Sequence, residues 1–178
     1  MFAAAAGKLP VDQVRAIQET HRSHVFLNCW HKNPVEIERM WLAYTSCPEA
    51  IAVKTDVASL FAAIPGHIKG ANVNYVNEGD SIPEFHSLAA LVHKRREPYE
   101  FENEFRLIYQ LPPCEIERPD DKEDEHRWIP VDARRLLHLI RFHPAATPEF
   151  MALVRRDLDA ARLPVALEES IFAKAAGS

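Results

Sequence analysis

Apolar and polar positions alternate or recur with clear periods along most of the chain. Val11, Val14 and Ile17 recur at helical spacing within residues 10–20. Val25-Phe26-Leu27 reads as a short buried strand. Asn33-Pro34-Val35-Glu36 then reads as a helix start. Asn33 is a capping residue type, Pro34 suits the first helical position, and Glu36 is placed to reach back to the cap. Ile37, Met40, Trp41 and Tyr44 follow on one helical face until Cys47-Pro48 ends it. Ala50 to Thr55 is a predicted strand. Thr55 or Asp56 caps a helix with Val57, Leu60, Phe61 and Ile64 inward, and Pro65-Gly66 stops it.

In the second half, Ala71, Val73 and Tyr75 alternate with Asn72 and Asn74, the pattern of a half-exposed strand. Phe85, Leu88, Leu91 and Val92 predict a helix ending in His93-Lys94-Arg95-Arg96. The strongest alternation runs from Glu104 to Leu111. It puts Phe105, Leu107, Tyr109 and Leu111 on one side, and Glu104, Arg106, Ile108 and Gln110 on the other. Trp128 to Val131 is predicted as its returning partner. Asp132 caps a short helix, Leu139 to Phe142 forms a strand, Thr147 opens the last long helix, and Val165 to Leu167 forms a terminal strand. This order predicts an α+β fold: a mixed, largely antiparallel sheet of about five to six strands with helices packed on it.

Composition bounds the readings. The chain has 178 residues, 47% of them hydrophobic, which predicts one domain over 1–178 with a frayed end at 1–9. The net charge of −5 argues against nucleic acid as a partner, since phosphate binding depends on Lys and Arg. Cys29, Cys47 and Cys114 make no disulfide framework, so a reducing, cytoplasmic location is expected. No apolar run approaches the roughly 18 residues of a membrane span, and no membrane partner is expected. Five glycines are scattered without a phosphate-binding loop. The acids between residues 115 and 125 read as a solvated loop.

Three groups of residues carry candidate chemistry. Cys29-Trp30-His31 falls between a strand and a helix, where His31 is a candidate acid/base. A Cys29–His31 half-site for a metal lacks a completing pair, and no metal ligand is assigned. Trp30 and Tyr44 offer rings for stacking, although packing alone also explains a Trp41–Tyr44 stripe. Glu102, Glu104 and Arg106 share a face if all three lie in one strand, with His93 and Lys94 shortly before. A carboxylate among fixed cations can stabilise developing positive charge, and an ion-pair ladder of little consequence has the same pattern.

The block Phe26-Leu27-Asn28-Cys29-Trp30-His31-Lys32-Asn33-Pro34-Val35-Glu36, with Met40-Trp41 and Tyr44, resembles the bacterial domain-of-unknown-function family 2971. So do His93-Lys94-Arg95, Tyr99 to Arg106, and Val131-Asp132 leading to Pro144. The resemblance spans about residues 25 to 170 and brings no activity or cofactor with it. Family members usually carry a further segment before this block, and here about two dozen residues precede it, so a shortened member is expected. Phe142-His143-Pro144 also departs from the smaller residue usual before that proline.

Three functions follow. The first is an ADP-ribosyltransferase-like or other NAD- or nucleotide-handling enzyme. In it Glu104 and His31 are catalytic, and Trp30, Tyr44, His93, Lys94, Glu102 and Arg106 bind a nucleotide-like small molecule. The second is a non-catalytic interaction or sensor domain, with self-association covering apolar surface. The third is a nuclease holding Mg²⁺ on Glu102 and Glu104 beside Lys94. The enzyme reading expects His31, Tyr44, Glu104 and Arg106 on one concave surface, and Glu104 exposed enough for Glu104→Gln to leave the fold intact.

Overall fold

The computed structural model describes residues 24–80, 91–112 and 126–173. The predicted helices at 10–20 and 85–92 lie wholly or mostly outside these residues, as do the first nine residues and the acidic run. The fold is α+β. The chain divides into two compact units, each built from two stretches of sequence: 1–32 with 67–127, and 33–66 with 128–178.

The first unit contains β1 (Val25–His31), β3 (Lys69–Asn72), β4 (Asn74–Val76), β5 (His93–Arg95) and β6 (Glu104–Gln110). The second contains α1 (Glu38–Tyr44), β2 (Ile51–Lys54), α2 (Val57–Ala63), α4 (Ala133–Leu136), β7 (Leu139–Phe142), α5 (Pro148–Ala160) and β8 (Ala166–Glu168). A kinked turn α3 (Arg96–Tyr99) and a 3₁₀ turn (Glu100–Glu102) belong to the first unit. The strands form three sheets rather than one: antiparallel β1-β6-β3, mixed β2-β7-β8 and parallel β4-β5.

In the first unit β6 is the central strand, and both of its faces are covered. Phe105, Leu107 and Ile108 are buried, with Ile68, Val73 and Leu111. This explains why its alternation is the clearest in the sequence while Ile108, on the predicted polar side, is also inside. Its partners are β1 and β3. Trp128 to Val131 is not a strand, and Trp128 is 95% exposed. Nor do His93 to Arg95 end a helix: they pair with Asn74 to Val76 as β5. The predicted strand over Ala71 to Tyr75 breaks at Val73, which donates its N–H to Glu104 O at 3.0 Å and separates β3 from β4.

In the second unit Trp41, Leu60, Ala63, Ile140 and Phe142 form the core. Asp56, Asp132 and Thr147 cap α2, α4 and α5 as predicted, each side chain accepting a backbone N–H of the first turn. The start of α1 differs. The helix begins at Glu38, Ile37 occupies the cap position, and Asn33 and Pro34 precede the helix. Glu36 does not reach back to a cap, because Trp41, Ser170 and Ile171 already donate hydrogen bonds to its carboxylate. With α1 only two turns long, Tyr44 is its last residue and stands 60% exposed rather than continuing the buried face of Trp41.

Candidate functional site

The predicted charged residues meet in the first unit, where β1 and β6 pair. The antiparallel register sets His31 opposite Glu104 and Cys29 opposite Arg106. Directly opposed residues share a face, so these four side chains lie on one side of the sheet. Trp30 lies opposite Phe105 on the other side, and its indole N–H donates to Asn28 Oδ1 at 2.5 Å. It is therefore not brought together with His31 and Glu104. β1 also runs through Cys29-Trp30-His31 instead of ending before them.

Glu102 is not in β6. The 3₁₀ turn ends at Asn103, whose left-handed backbone (φ 40°) joins the turn to the strand. Asparagine tolerates that conformation better than most residues. Both acids are buried, Glu102 to 6% and Glu104 to 4% exposure. Arg106 donates to Glu104 Oε2 from Nη2 at 2.6 Å and from Nε at 3.1 Å. Its Nη1 donates to Leu91 O. Lys94 reaches from β5 to pair with Glu102 Oε2, lies 3.5 Å from Glu104 Oε1, and sits 4.4 Å from the centre of the Tyr99 ring. Two carboxylates and two cations thus balance in a space that excludes most water.

The surroundings complete the cluster. Tyr75 Oη accepts the Glu104 N–H at 2.9 Å. Burial, with the charges of Glu104 and Glu102, raises the Tyr75 pKa. Cys29 is exposed, and its thiol is pushed up by partial burial and by the Glu104 carboxylate beside it, although Arg106 opposes this. It is a poor thiolate in that setting. His31 Nδ1 donates to Glu102 O at 2.5 Å, so a neutral ring carries its proton there. Nε2 is buried, with no hydrogen-bond partner among the described residues.

The expectation of a partly exposed Glu104 is overturned. A group that stabilises charge on a substrate must face it. Both Glu104 oxygens instead face protein cations. Of the other predicted residues, His93 lies on β5 next to Lys94 and opposite Asn74, whereas Lys94 is opposite Tyr75. Tyr44 lies on α1 of the second unit. Tyr75, Cys29 and Asn103 join the cluster without having been assigned to it. An asparagine between two acids just before a strand is the one legible signal for Asn103. No signal in the sequence connects Tyr75 to Glu104.

A third carboxylate, its side chain 6% exposed, lies in the other unit. Glu36 accepts from Trp41 Nε1 at 2.6 Å, Ser170 Oγ at 2.5 Å and Ile171 N at 2.9 Å, with Arg141 Nη1 3.6 Å away. Burial alone would raise its pKa. The bonds from Ser170, Ile171 and Trp41 and the charge of Arg141 outweigh burial and hold it below the ordinary 4.5. A group depressed by folding contributes stability above its unfolded pKa, and that contribution is lost as pH falls through the lower folded pKa. Denaturant melts of wild type and Glu36→Gln should therefore differ most above pH 4.5 and converge below it. A gap that stays constant through this range would mean the charge of Glu36 has no part in stability.

Among the described residues no three His, Cys, Asp or Glu side chains are placed to hold a metal ion, and no helix is long and apolar enough to cross a membrane. Comparisons with protein-family models, curated proteins and solved structures find no match to this chain.

Proposed function

We propose that this chain is a non-catalytic interaction or sensor domain, acting in the cytoplasm and belonging to the domain-of-unknown-function family 2971 on the strength of its Cys29-Trp30-His31 block. The observation that carries the reading is the state of Glu104: 4% exposed, with each carboxylate oxygen facing a cation of the same cluster. The carboxylate expected to do chemistry is spent on internal neutralisation. Large apolar side chains stand exposed in the second unit, among them Val35, Leu42, Trp128 and Ile171 at 63%, 77%, 95% and 64%. Where such side chains adjoin, exposed apolar surface marks a macromolecular partner, a second copy of the chain included.

An NAD- or nucleotide-handling enzyme is the second reading. It is favoured by the common face of His31, Glu104 and Arg106. A Mg²⁺ nuclease is supported least, because Lys94 and Arg106 already match the charge of Glu102 and Glu104. Calorimetric titration of the whole chain with NAD and with ADP-ribose separates the first two. The interaction reading expects no binding heat at millimolar ligand. Saturable binding with turnover that Glu104→Gln abolishes, in a variant that still folds, would establish the enzyme reading instead.

A further inference from the structure

We infer that β8 and the turn that follows it, Ala166 to Ala173, form a detachable strap over one edge of β7, held down by the Glu36 carboxylate. β7 is the central strand of its sheet: β2 covers one edge and β8 the other. Ile140 and Phe142 are buried at 3% and 2% exposure, so β7 belongs to the core of its unit. β8 has only three residues, and Ala166 and Glu168 are exposed. Its first ladder contact, Ala166 N to His138 O, is 3.4 Å long. A three-residue parallel pairing is a weak hold by itself.

The grip lies just beyond the strand. Ser170 is 6% exposed, and its hydroxyl donates to Glu36 Oε1 while accepting the Phe172 N–H at 3.0 Å. Ile171 N–H donates to Glu36 Oε2. Arg141, opposite Glu168 on β7, pairs with both Glu168 and Glu36. Bonds to an ionised acceptor are the strong class, so one carboxylate supplies most of the hold. The turn leading into the strap has Arg162 in left-handed backbone, φ 54°, a conformation such residues rarely adopt. With the strap off, β7 presents unpaired N–H and C=O groups beside buried side chains. Glu36 thus sets whether this edge is closed.

Hydrogen exchange of the full chain, followed by mass spectrometry, tests the strap. Glu36→Gln and the milder Ser170→Ala should each speed exchange at Leu167 to Phe172 by about tenfold or more, as expected for losing a bond to a charged group. In wild type and in both variants the segment should exchange faster than α2 and β2, whose amides open only with the whole unit. The inference is overturned if the segment exchanges no faster in either variant. It is equally overturned if the segment exchanges at the same rate as α2 and β2 in wild type, or if both variants fail to fold, because the segment is then an integral part of the core.

Discussion

Replacing Glu104 by glutamine is expected to lower the stability of the chain by about 3–5 kcal/mol, the usual cost of removing one partner from a buried ion pair. The variant keeps the shape of the side chain and removes its charge. Arg106, whose side chain is 12% exposed, then retains a full positive charge with no carboxylate oxygen at its Nε and Nη2 but a neutral amide in its place. Lys94 keeps Glu102 and loses its second acid. The loss would take a large share of the 5–15 kcal/mol that holds a typical domain together. Denaturant unfolding measures it. A loss under about 1 kcal/mol is the behaviour of an exposed pair and would place Glu104 in contact with solvent.

Trp41→Ala is expected to cost a similar amount, about 3–5 kcal/mol, for a different reason. Trp41 is 7% exposed and packs edge-on against His143, with ring centres 5.3 Å apart. Its removal leaves a cavity in the second unit and takes away one of the hydrogen bonds to Glu36. Trp41→Phe should recover the packing part of the loss while leaving the Glu36 bond unmade. A melt of Trp41→Ala within about 1 kcal/mol of wild type would show that the ring is not core.

The elements most legible in the sequence are those whose signal is local. The caps at Asp56, Asp132 and Thr147 are read from a side chain and the first turn it serves, and all three are found. β6 was legible from alternation, and its register with β1 puts Glu104 and Arg106 on the face shared with His31. The failures are places where a distant partner decides. Asn33-Pro34-Val35-Glu36 has the local pattern of a helix start, but Glu36 is claimed by Ser170, 134 residues away. Trp128 to Val131 has the pattern of a strand, yet β1 and β3 already occupy both edges of β6. Lys94 and Arg106 do meet Glu104, but burial was not legible: no residue type at 102–106 announces that the cluster closes on itself. The break at Val73, which splits one predicted strand into two, depends on a bond to Glu104.

The claim that the cluster is a closed, internally neutralised unit is tested most directly by a double-mutant cycle on Glu104 and Arg106. Stabilities are measured for wild type, Glu104→Gln, Arg106→Met and the pair together. If each charge exists to satisfy the other, the double variant leaves neither orphaned, and it should unfold at higher denaturant than Glu104→Gln alone. If the two losses simply add, Glu104 and Arg106 are independent of one another, and the claim that each neutralises the other is contradicted.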